Sequence, residues 1–201
     1  MTREIDFYFS IDSRYSYLAS TQLPALERDF GLRINWRPLA LLALLEARGK
    51  NPFGDGGQSG QYDPAYRSID VTRWAEFYGV PLISPDWDRG DWPRINLTAV
   101  AAAALGCCPA YVRALYDAIM VRGETPADDG AIARLADRAG LDGKAIVVGI
   151  DGPATAKLHK TNIDAAMAAG VFGVPSFVLD GKMFWGNDRL ALLRHELGKQ
   201  R

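Results

Sequence analysis

The chain has 201 residues, 48% hydrophobic and 23% charged, the make-up of a soluble globular protein with enough apolar residues for a real core. Its 23 Lys and Arg stand against 24 Asp and Glu, a net charge of −1, which excludes a general field for nucleic acid or an anionic membrane. A small, locally held molecule is the expected partner.

The chain opens "MTREIDFYFSID", without the apolar run and small-residue cleavage site of a secretory signal, so a cytoplasmic home is expected. Ile5, Phe7 and Phe9 alternate with Asp6, Tyr8 and Ser10, which predicts a strand with unlike faces over about 4–10. "DSRYS" follows, and Leu23, Leu26 and Phe30 recur at helical spacing up to Gly31. "RINWR" reads as a second strand. Strand, long helix and strand predict a right-handed parallel unit.

Residues 48–64 are crowded with Gly, Pro and small polar residues and read as a long loop. A helical block comes next. Val71, Trp74, Ala75 and Tyr78 form one apolar face, Tyr111, Leu115 and Ile119 another, and Ile132, Leu135 and Ala139 a third. "VPLISPDWDRGDWP" predicts an ordered surface loop. "LTAVAAAALGCC" is the most apolar stretch, too short for a membrane span of about 18 to 20 residues, and reads as a buried helix. Cys107 and Cys108 are adjacent, so they are expected to be reduced structural thiols, and no metal site is expected from two sulfurs and two distant histidines.

"SFVLDGKMFW" predicts a hairpin turning on Asp180-Gly181, and "GNDRLALLRHELGK" a last helix with Asn187 as its N-cap. The order is βαβ, a helical block, then ββα. That order predicts a thioredoxin-like α/β domain from residues 1–38 and 170–201, with 39–169 inserted as a mainly helical subdomain.

Three stretches, "IDFYFSIDSRYSYLAS", "GVFGVPSF" and "MFWGNDRL", resemble in order and spacing the 2-hydroxychromene-2-carboxylate isomerases and their relatives, the kappa-class glutathione transferases of the DsbA-like branch. The likeness covers both ends well and the middle loosely. It implies glutathione as cofactor and Ser13 as the serine that replaces the first cysteine of a disulfide motif. It also implies a cis Val174–Pro175 bond that meets the cysteinyl part of glutathione. Trp185, Gly186, Asn187 and Asp188 would then receive its γ-glutamyl end. Ser16-Tyr17-Leu18-Ala19 matches the family, whereas Arg14 stands where the family has proline.

For Ser13 two readings stand side by side: a helix N-cap, with Asp12 competing, or a hydroxyl that donates to a neighbouring thiolate in the field of the helix N-terminus. A thiol with an ordinary pKa of ≈ 8.5 needs only a modest downward shift to be anionic near neutrality. The resemblance implies an isomerase in which that thiolate adds to an unsaturated carbon of an aromatic acid, a bond rotates, and the thiolate leaves. On the substrate side Arg14, Lys50 and Asn51 are candidate carboxylate contacts, while Arg37, Arg67 and Arg73 carry no ranking and Leu44 stands where relatives have a lysine. Trp74 reads as core, His159 and His195 as surface residues. A kappa-type transferase and a non-catalytic DsbA-like module are the competing functions, and a homodimer is implied by the relatives.

Overall fold

A computed structural model describes residues 3–49 and 63–199. Four strands form one mixed sheet in the order β2-β1-β3-β4. Strands β1 (Glu4–Phe9) and β2 (Arg33–Pro38) run parallel, joined by α1 (Arg14–Phe30) as a crossover. Strand β3 (Ser176–Leu179) is antiparallel to β1 and makes a hairpin with β4 (Lys182–Trp185). Its turn is Asp180-Gly181, with φ of 50° and 77°, the left-handed pair a tight hairpin needs.

Between β2 and β3 come α2 (Leu41–Ala47), α3 (Pro64–Tyr78), α4 (Trp92–Ala104), α5 (Cys108–Tyr116), α6 (Asp129–Arg138), α7 (Gly143–Ile150) and α8 (Pro153–Ala168). A one-turn π-helix, 117–121, extends α5. Helix α9 (Leu190–Gly198) closes the described chain. The helical block expected from the periodicity is therefore present; most of its helices share one hydrophobic core with the sheet, while α2 and α8 pack in a second cluster.

Both faces of β1 are covered. Ile5, Phe7 and Phe9 are fully buried on one side, where the Phe7 ring stacks on Phe9 at 4.9 Å and on Phe177 at 5.1 Å. Trp36 packs edge-on against both phenylalanines of β1. On the other side Tyr8 joins Leu39, Leu44, Ala166 and Val171 in a second cluster. The alternation Ile-Asp-Phe-Tyr-Phe thus marks two covered faces, with Asp6 spared because Asn35 and Arg37 of the neighbouring strand donate to its Oδ1.

Three details differ from the sequence reading. Strand β1 ends at Phe9, because the chain turns there to enter α1. Ala139 is exposed at the end of α6 and Ala136 fills the core position, since the apolar stripe 132–135–136 takes the shorter helical step. Asn187 does not cap the last helix: a 3-10 turn, Asn187–Arg189, precedes α9, so Asn187 lies inside that turn with Gly186 before it.

Candidate active site

The loop from β1 to α1 is held from below by polar side chains of the helical block. Asn96 on α4 accepts the Ile11 N–H at 2.7 Å, and Tyr116 on α5 donates its hydroxyl to the Ser10 carbonyl at 2.9 Å. Both contacts are buried, where such bonds fix geometry most firmly. They deliver Ser13 to the N-cap of α1. Its Oγ accepts the Ser16 N–H at 3.1 Å, so of the two competing caps Ser13, not Asp12, takes the position. A capping hydroxyl acts as acceptor toward the helix and keeps its own proton to donate elsewhere. The two readings of Ser13 are compatible.

The chain crosses from α8 to β3 through Gly173-Val174-Pro175, and Val174–Pro175 is cis. The Pro175 carbonyl accepts the Gly186 N–H at 2.9 Å, which clips the exit of β4 to the entrance of β3. Trp185 closes over Gly173 so tightly that a Cβ there would stand 2.7 Å from its Nε1. Gly186 has φ of 113°, a conformation natural to glycine, and a Cβ on it would meet Asp188 Oδ1 at 2.3 Å.

These segments form one wall of a cleft of about 370 Å³, a size typical of small-molecule sites. The wall consists of Val174, Pro175, Trp185, Gly186, Asn187, Asp188 and Arg189. Facing it are Tyr66, Arg67, Asp70 and Trp74 of α3, with Tyr15 of α1 beside them. The structure therefore gathers all six residues picked from the two C-terminal motifs. Ser13 lies two residues before Tyr15 and is 9% exposed; it is not among the residues that line the cleft.

Arg14 turns to the 80–91 loop. Its Nη1 donates to Ser84 Oγ at 2.9 Å and its guanidinium lies 6.0 Å from the Trp87 ring centre. Burial, and then the neighbouring charge of Arg67, lower its pKa from the ordinary value. Arg37 is taken by Asp6, and Arg73 is exposed on α3 away from the cleft lining. Lys50 and Asn51 lie outside the described residues. Trp74 packs partly against the core and also lines the cleft.

Asn187 is buried, and its Nδ2 has no hydrogen-bond partner. Its carbonyl accepts the Tyr78 hydroxyl at 3.0 Å, tying α3 to the opposite wall. Asp188 pairs with Arg189 at 3.3 Å. Tyr15, Tyr66, Asp70 and Arg189 were not singled out in the sequence, and Tyr78 was read only as part of an apolar helix face. The signal was there in part: Arg67, Asp70 and Trp74 recur at i, i+3 and i+7, which puts a charged stripe beside the apolar face of α3. Among the described residues no group of three His, Cys, Asp or Glu is placed to hold a metal ion, and no helix is long and apolar enough to cross a membrane.

A four-stranded sheet with βαβ and ββα halves, a cis-proline entrance to β3 and a capped first helix defines a thioredoxin fold of the DsbA type. Residues 4–198 match the DSBA-like thioredoxin domain family. The 2-hydroxychromene-2-carboxylate isomerase of Sphingobium xenophagum is 34% identical, covering 98% of this chain and 99% of its own. A solved structure of 2-hydroxychromene-2-carboxylate isomerase superposes with a TM-score of 0.81 at 30% identity, over 98% of this chain and 95% of that one. Glutathione S-transferase kappa 1 of Homo sapiens is 24% identical over 100% of this chain and 93% of its own. The chain belongs to the DSBA-like thioredoxin domain family, and within it to the family of the 2-hydroxychromene-2-carboxylate isomerases.

Proposed function

We propose that this chain is a glutathione-dependent isomerase of 2-hydroxychromene-2-carboxylate or a similar unsaturated aromatic acid. The observation that carries the reading is one cleft on which Val174–Pro175, Trp185–Asp188 and the first turn of α1 converge. The relatives' names supply the reaction and the cofactor class.

The residues present fit a tripeptide with charged ends. Asn187 Nδ2 is a buried donor without a partner, which suits a carboxylate oxygen. Asp188 suits an ammonium, and Gly186 lets a ligand approach the backbone. Val174 precedes the paired residues of β3, so its peptide groups are outside the sheet ladder and suit the cysteinyl main chain. When bound, glutathione supplies a thiolate that adds reversibly to the unsaturated carbon, turning a fixed double bond into one that rotates.

Ser13 would hold that sulfur as a thiolate through a hydrogen bond from its hydroxyl, whose lone pair caps α1. The partial positive charge of the α1 N-terminus favours the anion further. Serine here stabilises a charge and forms no bond, so the cofactor leaves unchanged. On the substrate side the reading assigns the aromatic acid's carboxylate to Arg14, through the donors Ser84 does not use, together with Lys50 and Asn51. The working unit in this reading is a homodimer in the cytoplasm, and light scattering of the purified chain tests the dimer.

Calorimetric titration of glutathione, combined with ultraviolet absorption at the thiolate band, tests the cofactor. Wild type binds with thiolate enrichment and Ser13→Ala loses the enrichment. No binding to wild type removes the cofactor, and equal enrichment in both removes Ser13 from its role. A product that retains glutathione assigns the kappa-type transferase reaction; a free isomer assigns the isomerase.

A further inference from the structure

Helix α2 borders a second cavity, of about 380 Å³, and among the described residues this cavity shares no lining with the cleft. Its size is that of a small-molecule site. The wall is mainly apolar: Ala43 of α2, Leu97 of α4, Ile150 at the end of α7, and Ala156 and Ile163 of α8. Four polar side chains complete it, and three of them are engaged. Asp151 accepts from Arg94 with both carboxylate oxygens at 3.2 Å, Thr155 donates to the Gly149 carbonyl at 2.6 Å, and Lys160 donates to Asp164 at 2.6 Å.

His159 is the fourth. Its Nε2 accepts the Ala40 N–H at 3.1 Å, at the N-cap of α2. A ring nitrogen that accepts carries no proton, so the proton of the neutral imidazole is on Nδ1. Burial lowers the His159 pKa, which keeps the ring neutral near neutrality. The ring is half-buried, and Nδ1 has no hydrogen-bond partner among the described residues. Contact with α2 therefore fixes the tautomer and leaves one uncharged N–H donor in an apolar wall.

That donor selects the ligand. A carboxylate would give up its hydration for a single neutral donor, in a cavity that also holds Asp151. A hydroxyl or ammonium group would find the Asp151 carboxylate and the Gly149 carbonyl already in use. A carbonyl oxygen needs one donor and no counter-charge, and an apolar body matches the remaining wall.

We infer that this cavity is a second, non-catalytic binding site for neutral apolar carbonyl compounds, ketones above all, with the His159 Nδ1–H donating to the carbonyl oxygen. The imidazole then links the ligand to the start of α2 through its other nitrogen.

His159 and His195 are the only histidines, so NMR of the full chain carrying ¹⁵N-labelled histidine reads the site directly. His195→Gln, at an exposed position of α9, assigns the two rings. At about pH 7.5 His159 shows the Nδ1–H tautomer. The probe 2-acetylnaphthalene shifts the His159 nitrogens, leaves those of His195 in place, and binds about fivefold more tightly than 2-ethylnaphthalene, the worth of one neutral hydrogen bond. Ala156→Phe, at an exposed position of α8, fills the cavity, abolishes the shift and keeps the Nδ1–H tautomer, which reports that the fold is intact. An Nε2–H tautomer, a silent His159, a ketone no tighter than the hydrocarbon, or a shift that survives Ala156→Phe overturns the inference.

Discussion

The Ser16 N–H donates to Ser13 Oγ at 3.1 Å, so the residue proposed to stabilise a thiolate also caps the start of α1. Stability and chemistry at position 13 can be separated. Ser13→Ala removes cap and donor together, and costs about 1 kcal/mol of stability. Ser13→Gly costs only a few tenths of a kcal/mol, because glycine is a tolerated N-cap. If the hydroxyl stabilises an anion, both variants lose turnover by a similar factor, of the order of 10² to 10³. Thermal melts and kcat on the two variants check this; activity that follows stability assigns Ser13 to the cap alone.

Gly186 is the tightest point of the wall. Gly186→Ala would put a methyl group 2.3 Å from Asp188 Oδ1 at a φ of 113°. The Asp188 side chain can swing aside, but the backbone angle cannot be relieved that way. The variant is expected to lose about 1 to 2 kcal/mol. It also weakens glutathione binding, because the displaced carboxylate is the proposed ammonium contact. Titration of this variant beside Asp188→Asn checks the second part: the two should lose affinity by comparable factors.

The parts of the fold legible in the sequence were those with local causes. The alternation in β1, the Gly31 stop after α1 and the Asp180-Gly181 turn all act within a few residues, and the structure shows each. The C-terminal half of the cleft was legible through the resemblance, as a cis Val174–Pro175 and a Trp185–Asp188 turn. The facing wall was not. Tyr15 and Asp70 are 55 residues apart, and their bond exists only because α3 folds back against the start of α1. Arg14 was legible as a cation near the site, but its direction depends on Ser84 and Trp87 in a loop whose path no periodicity encodes. Asn187 misled because an Asn after a glycine fits a cap, while the bond from Tyr78 holds it inside a 3-10 turn.

Cys107 and Cys108 carry free thiols, and burial raises both pKa values from the ordinary range. The thiolate is the reactive form, so neither is poised for redox chemistry. Iodoacetamide at pH 7.5 is expected to leave Cys108 unlabelled in the native protein and to react slowly with Cys107. Cys107→Ser should keep activity within about twofold, since the residue is only partly buried and lies outside the cleft lining. Mass spectrometry after timed labelling reads the first expectation, and fast labelling of Cys108 would contradict it.

His159 is more than the surface residue its neighbours suggest. Its Nε2 accepts the Ala40 N–H at 3.1 Å, so α8 satisfies a donor at the N-cap of α2, where Ala40 has no side chain to do so. Only the neutral ring has that lone pair, and burial lowers the His159 pKa in the folded chain. An unfolded histidine titrates near ≈ 6.5. Below that pH the unfolded chain binds a proton that the folded chain resists, so stability falls as pH drops through about 6.5. His159→Gln offers an amide oxygen to the same N–H and does not titrate. It should match wild type to within about 1 kcal/mol, one hydrogen bond, at pH 7.5. Between pH 7.5 and 5.5 wild type should lose more stability than the variant, as urea melts at each pH would show. His195 and the carboxylates are common to both proteins, so parallel curves would mean that the imidazole of His159 stays neutral or gives up the Ala40 bond at no cost.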